Sequence, residues 1–373
     1  MRRIGMQRYR GSEPGKDAAA PARTTTGMRP FRLAAALLAL CLVASACGRI
    51  EATAGRARPL GCVEPNKRMH LYAEQLPDAA DGSIRLGWGL SPGTATIPGP
   101  TIELTEGDCV AITVVNDIPV ATLAALRDDP RLGSGNPSQP LGVSLHVHGV
   151  KYTQDSDGTL ETDSWVRPGQ SRTYTWYAAP RVSVGKRVAS LGTAGYWWYH
   201  DHIIGTSHGT GGIGSGLVGG LVVRRPGDPE PDRPTNVVVM GPDQTINFQR
   251  YPNTPRFVAR RGERVEFLVI GVGDEFHTFH LHGHVWADTR TGFFATQEDE
   301  TQLIDVRTIG PSETFGFQVI AGESVGAGSW MLHCHVQVHS DRGMVTFFDV
   351  LEPNQPLPVA PIAPANGGHH LHG

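Results

Sequence analysis

The sequence predicts an all-β protein of two β-sandwich domains, and three observations predict it. Charged residues make up only 18% of the chain while glycine and proline number 46 and 28, the composition of short strands separated by many turns. At 373 residues the chain is long enough for two domains, each with its own core. It also repeats itself. Pro100, Gly107, Asp108 and Val110 are spaced like Pro255, Gly262, Glu263 and Val265; HVHG at 146–149 answers HLHG at 280–283; GYWWYHDH from Gly195 answers GSWMLHCH from Gly328, with Trp197 opposite Trp330. Each half therefore reads as one copy of a single fold.

Residues 1–47 read as an N-terminal extension and signal peptide. Residues 1–27 are polar and irregular, and MRPFRLAAALLALCLVASAC, 28–47, has a basic start, an apolar run and small residues before Cys47. Met28 is a second candidate start. The apolar run is short for a bilayer span, so the chain is expected to be extracytoplasmic, either secreted or lipid-anchored at the outer face of the cell membrane. Ala44, Ser45 and Ala46 before Cys47 resemble a bacterial lipoprotein processing box, which would make Cys47 a membrane tether.

After a linker, 48–66, domain 1 is expected over 67–225, with alternating strands in RMHLYAEQL, PTIELTEGDCVAITVVND, VSLHVHG, RTYTWYA, GYWWYHD and GLVGGLVVRR. The charged, proline-rich RRPGDPEPDRP carries no apolar period, and 226–234 reads as a second linker. Domain 2 follows over 235–353, with strands in TNVVVM, RFVARRGERVEFLVI, HTFHLHGHVWA, ETFGFQVI, GSWMLHCHV and MVTFFDVLEP. The repeat offset is 155 between Pro100 and Pro255 but 134 between His146 and His280. The extra residues of the first copy fall in 120–142, expected to be a surface loop or short helix. The tail, 354–373, ends in HHLHG and is expected to be disordered.

A formal charge of -3 without charge runs offers no basic patch for nucleic acid. Histidine, at 16 residues, is in excess and clustered. The densest cluster is HCHVQVHSDRGM, 333–344. A thiolate, imidazoles and a weak thioether together suit a blue-copper centre, with Cys334 and His339 as strong ligands, Met344 as the long axial one and one more histidine from elsewhere. On an extended strand His333 and His335 share the face that Cys334 does not, so one strand can serve two metal sites. Where the second copy has Cys334 the first has Asp201, so only the second domain can hold the thiolate site. Both copies present two HxH pairs. If they face each other about an approximate twofold axis, eight imidazoles converge, which suits three copper ions.

These residues resemble the multicopper oxidases, and more narrowly the bacterial two-domain (small) laccases. The likeness covers roughly 67–352 and carries HVHG, HDH, HTFHLH and HCHVQVHSDRGM. It implies two cupredoxin-like Greek-key β-sandwich domains, four coppers per active unit, and oxidation of phenols or similar small-molecule reductants with O2 reduced to water. By the same resemblance His277, Cys334, His339 and Met344 would hold the type 1 copper. His146 and His280 would hold type 2, and His148, His200, His202, His282, His333 and His335 the type 3 pair. Tyr152 would lie beside the trinuclear cluster, and Asp157 would assist proton delivery. Small laccases are homotrimers with the cluster between subunits, which the resemblance extends to this chain. His208 is expected to be a supporting or packing residue near His202, and His284 a supporting or satisfied surface group; neither is expected to be a ligand.

Of the cysteines left after export, Cys62 and Cys109 read either as a disulfide in an oxidising compartment or as two buried thiols. Three rival functions remain. A Cu(I) or Fe(II) oxidase is the nearest, although the seven methionines are scattered and form no Met-rich insert. Copper nitrite reductase pairs similar domains without a trinuclear cluster. A non-catalytic copper or electron-transfer protein would leave eight histidines unexplained.

Overall fold

The computed structural model describes residues 58–79, 81–132, 138–294 and 301–358. The signal-peptide stretch, Cys47 and the tail histidines lie outside the described residues. The first half runs β1 (Lys67–Leu76), β2 (Arg85–Gly89), β3 (Gly99–Thr105), β4 (Cys109–Asn116), β5 (His146–Val147), β6 (Ser171–Tyr177), β7 (Val182–Val184), β8 (Arg187–Ser190), β9 (Gly195–His200) and β10 (Val218–Arg224). The second runs β11 (Asn236–Gly241), β12 (Thr245–Ile246), β13 (Phe257–Arg260), β14 (Arg264–Gly271), β15 (His277–Leu281), β16 (Trp286–Ala287), β17 (Leu303–Ile304), β18 (Val306–Ile309), β19 (Thr314–Ile320), β20 (Gly328–Cys334) and β21 (Val345–Leu351).

The duplication is explicit in the sheets. In the first half they run β2-β1-β4-β6 and β3-β10-β9-β5, and in the second β12-β11-β14-β19 and β13-β21-β20-β15, with β18 added at the edge. The parallel pairs correspond too, β1 with β4 and β3 with β10 answering β11 with β14 and β13 with β21. Both halves are cupredoxin-like Greek-key sandwiches. The matched turns use matched chemistry: Asp108 accepts the Thr105 N–H at 2.8 Å, and Glu263 accepts the Arg260 N–H at 2.8 Å.

Each sandwich closes over aromatic side chains. Trp88, Tyr174, Trp176 and Tyr199 fill the first. In the second Phe267, Phe279, Phe317 and Phe348 are fully buried, Phe317 stacking on Phe267 at 5.3 Å and on Trp286 at 3.9 Å. The outward face of β9 and β10, with Tyr196, Trp198, Val218 and Val222, packs on Val237, Val239, Leu268 and Ile270 of β11 and β14. This is why β14 reads as an unbroken apolar run. Val265, Phe267 and Val269 face the second core while Leu268 and Ile270 face the junction, so both sides of the strand are dry. Each such side chain contributes about 1.5–3 kcal/mol.

Burial alone has no direction, and a polar device fixes the junction. Glu266 lies on the junction face of β14 with none of its surface exposed. Its carboxylate takes a bidentate pair from Arg224 at 2.7 and 2.7 Å, the Tyr196 hydroxyl at 2.9 Å, the Thr235 hydroxyl at 2.6 Å and the Gln318 amide at 2.8 Å. These donors hold its carboxyl below the usual range against the opposing effect of burial, which is the largest influence on it. The connecting residues are not free either. Asp228 pairs with Arg290 at 2.7 and 2.5 Å, and Asp232 accepts the Arg264 N–H at 2.7 Å.

Several elements had no signal in the sequence. β2, β7, β8, β12, β17 and β18 are two to five residues long, too short to show a period. Within 120–142 a helix, α1 (Val120–Arg127), caps the first sandwich through Leu123 and Leu126. A second helix, α2 (Thr210–Ser215), lies in the glycine-rich stretch after β9. Cys62 and Cys109 are joined as a disulfide, tying the approach to β1 to the start of β4. Replacing Arg224 with methionine would leave Glu266 buried and unpaired, at a cost of about 3–5 kcal/mol. Urea unfolding of R224M should show that loss, and an unchanged midpoint would rule out the pin.

Candidate metal centres

β15 and β20 carry His277, His280, His333 and Cys334, and the antiparallel register places Phe279 opposite Cys334 and His280 opposite His333. β20 ends at Cys334. His339 is carried by a short helix, α3 (Gln337–Asp341), in the stretch between the two expected strands GSWMLHCHV and MVTFFDVLEP. The helix returns the chain to the same place. The Met344 N–H donates to the His339 carbonyl at 3.0 Å, and the Cys334 N–H to the Met344 carbonyl at 3.1 Å. Alternation around Cys334 holds. His333 and His335 have ring centroids 5.3 Å apart, while Cys334 is buried in the second core with Met344.

Three donor atoms converge at this buried end. His277 Nδ1 is 3.3 Å from His339 Nδ1, which is 3.6 Å from Cys334 Sγ, and the Thr278 N–H points at the sulfur from 3.4 Å. The other ring nitrogen of His277 is buried without a partner. Burial pushes the Cys334 thiol up, and burial followed by the His339 charge pulls His277 down to about 4. Such a site holds neutral donors close together, a donor set that suits a cation.

The remaining imidazoles form two sets, one per sandwich. His146, His148 and His200 bring ring nitrogens within 4.8 Å of one another, as do His280, His282 and His333. His148 Nε2 lies 3.3 Å from His200 Nε2, and His282 Nε2 lies 3.2 Å from His333 Nε2. His146, His200, His280 and His333 each place Nδ1 on a backbone carbonyl, of Asp157 at 2.6 Å, Asp201 at 2.7 Å, Asp305 at 2.8 Å and Cys334 at 2.9 Å. Donation from Nδ1 fixes the tautomer and leaves the Nε2 lone pairs for a metal. His202 and His335 stand at the margin, at ring distances of 5.1 Å from His146 and 5.3 Å from His280. His202 Nδ1 is buried and unpartnered, whereas His335 is exposed. Among the described residues, ring contacts run within each set and none joins the two.

The glycine that follows each HxH has a steric cause. Gly149 and Gly283 have φ of +83° and +69°, and a Cβ on either would run into the ring of Trp197 or Trp330. Tyr152 lies at 5.9 Å from the His146 ring, and burial together with Asp157 pushes its hydroxyl pKa up. The Asp157 carboxylate is 3.6 Å from His146 Nδ1 and accepts the Thr159 hydroxyl at 2.7 Å. Asp305, which the sequence reading passed over, mirrors it. Its carbonyl holds His280 and its carboxylate is 3.8 Å away. Asp157 follows His146 by 11 residues and Asp305 follows His280 by 25, so spacing could not pair them. His208 touches His202 at 5.5 Å and is exposed. His284 is buried and satisfied on both nitrogens, by the His282 carbonyl and the Gly322 N–H at 3.0 Å each.

Residues 226–354, which hold the thiolate site and one imidazole set, match the family model described as multicopper oxidase. The second sandwich is thus a multicopper oxidase domain. The chain is 30% identical over 312 residues to a probable nitrite reductase-hydroxylamine oxidoreductase fusion protein of Kuenenia stuttgartiensis, covering 76% of this chain and 32% of that one. Its fold is similar to the blue copper oxidase of Nitrosomonas europaea, with TM-score 0.51, 23% identity and coverage of 76% and 86% of the two chains. It is also similar to the copper nitrite reductase of the same organism, with TM-score 0.53, 19% identity and coverage of 77% and 94%. The chain spans about a third or less of the length of the curated relatives it matches.

His148, His277 and His333 are pulled down to about 4, burial being the first cause for each. A base whose folded pKa lies below its unfolded value stabilises the fold above the unfolded pKa, and that contribution is lost as pH falls. The metal-free protein should therefore melt at progressively lower temperature between about pH 6.5 and pH 4. Cu(II) competes with protons for the same lone pairs and should blunt the loss. A metal-free melting temperature that stays flat across this window would contradict the assignment.

Proposed function

We propose that the protein is a laccase-type oxidase. It takes single electrons from phenolic or similar reductants at a type 1 site of His277, Cys334, His339 and Met344. It reduces O2 to water at a trinuclear site of His146 and His280 (type 2) with His148, His200, His202, His282, His333 and His335 (type 3). The observation that carries this reading is that Cys334 faces one donor set while its neighbours His333 and His335 face another. Bound copper would supply one-electron chemistry at the first site and multi-electron dioxygen chemistry at the second. Close-set, tautomer-fixed imidazoles, a buried thiol and the unpartnered His277 nitrogen fit that metal.

The chain's own residues do the rest. Covalent bonds from Cys334 to His333 and His335 join the two donor sets without a gap. His339 keeps its second nitrogen towards the rim, 3.9 Å from the half-exposed Glu275 carboxylate, where a reductant can approach. Reducing O2 to water consumes protons, and Asp157, hydrogen-bonded to the Tyr152 hydroxyl, stands beside His146 where protons are needed.

Each imidazole set is half a site. Completion by a second copy, in a homotrimer with the cluster between subunits, is supported by the lack of ring contacts between the sets in one chain. It is also supported by the half-open face of Ser329, Met331 and Phe347, whose counterpart on the first sandwich is covered. An extracytoplasmic location, secreted or tethered through Cys47, is supported by the apolar run before Cys47 and by the Cys62–Cys109 disulfide.

Nitrite reduction is the second reading, favoured by the names of two relatives. Copper nitrite reductase has no trinuclear cluster, so the four HxH pairs argue against it. Copper-loaded protein should show a strong blue absorption band, four coppers per chain in a trimer, and oxygen uptake with a phenol. Nitrite turnover without oxygen use would overturn the proposal, and an active, fully loaded monomer would overturn the shared cluster. Asp157→Asn should slow oxygen reduction about 10²-fold or more and shift its pH profile, with the blue band unchanged. An unaltered rate and profile would remove the proton-delivery role.

A further inference from the structure

The duplication leaves one residue without an assigned task. Asp201 sits between His200 and His202 at the position Cys334 occupies in the second sandwich, and none of its surface is exposed. A carboxylate there is costly unless every lone pair is used.

The two sandwiches use that position in the same way. In the second, the Thr278 N–H points at Cys334 Sγ from 3.4 Å, and the His335 N–H donates to the Thr278 carbonyl at 2.7 Å. In the first, Ser144 is the counterpart of Thr278, each lying two residues before the first histidine of its HxH pair. The Ser144 N–H donates to Asp201 Oδ1 at 2.8 Å, and the His202 N–H donates to the Ser144 hydroxyl at 3.0 Å. Asp201 Oδ2 accepts the N–H groups of Ile203 at 3.1 Å and Ile204 at 2.7 Å. The carboxylate thus stands in the sulfur's place and answers to the same strand.

We infer that Asp201 is a positioning residue that replaces a metal–thiolate crosslink with a hydrogen-bonded one. With Ser144 it clasps the approach to His146 and His148 against the exit from His200 and His202, setting the first imidazole set before metal arrives. The clasp is reciprocal, each residue accepting from the other's strand. It also accounts for the glycine-rich GTSHGTGGIG stretch. A Cβ on Gly212 would fall 2.8 Å from the Asp201 Cγ, so only glycine lets α2 close over the carboxylate. Asparagine has the same shape and cannot substitute. Both carboxylate oxygens accept only from N–H groups, and an amide would set a donor against a donor at one of them.

This inference rests on the trinuclear reading above, and the test separates the two. Full-length D201N and S144A are loaded with copper beside the wild type, and copper per chain, the blue band, the type 2 paramagnetic signal and the type 3 near-ultraviolet band are measured. The blue band, which belongs to the second sandwich, should keep its wild-type intensity. Copper affinity at the type 2 and type 3 positions should fall about 10–100-fold, the loss that follows removal of a partner that orients metal ligands. S144A, which removes only the acceptor for His202, should fall in the same direction by less and keeps the test open if D201N does not fold. Full trinuclear signals in both variants, or a blue band lost in step with them, would overturn the clasp. A wild-type protein with the blue band and no trinuclear signature would overturn the reading beneath it.

Discussion

Adjacent side chains on an extended strand point to opposite faces, and the end of β20 turns that constraint into a two-site device. Cys334 faces the dry interior with His277, His339 and Met344, while His333 and His335 face outward with His280 and His282. No loop could hold two metal sites one residue apart with this economy, since the separation is set by covalent geometry. The surrounding sandwich serves to keep that strand end straight and dry. β15 pairs on one side and β21 on the other, and the aromatic core lies below.

Duplication supplies the second imidazole set, and its asymmetry keeps the two sandwiches distinct. The same sheets, turns and HxHG–tryptophan contact recur, yet the first copy has a carboxylate where the second has sulfur. The first sandwich is therefore cross-linked there by hydrogen bonds to Asp201, where the second gathers thiol and imidazole donors. Burial acts alike in both, keeping His148, His200, His277 and His333 neutral and their lone pairs open to metal rather than to protons.

The junction between the sandwiches divides the work between two kinds of force. Valine, leucine and isoleucine on β10, β11 and β14 supply adhesion without direction. Glu266 supplies direction. A carboxylate that collects hydrogen bonds from Arg224, Tyr196, Thr235 and Gln318 has one favourable arrangement, and that arrangement fixes β9, which carries His200 at its far end.

The fold class, the duplication and the clustering of candidate donor residues were legible in the sequence alone, because alternation, repeated spacing and metal-ligand chemistry are local properties of a chain. HCHVQVHSDRGM announces a thiolate site without any knowledge of what surrounds it. Tertiary structure decided what depends on residues far apart. It placed His277 against His339 across 62 positions, set Asp305 beside His280, buried His284 instead of leaving it at the surface, and put His339 on a helix. It also decided that Glu266, a single charge in an apolar run, pins the sandwiches together. Those outcomes turn on which strand lies beside which, and loop lengths of 11 and 25 residues from equivalent histidines to equivalent aspartates carry no local trace of it.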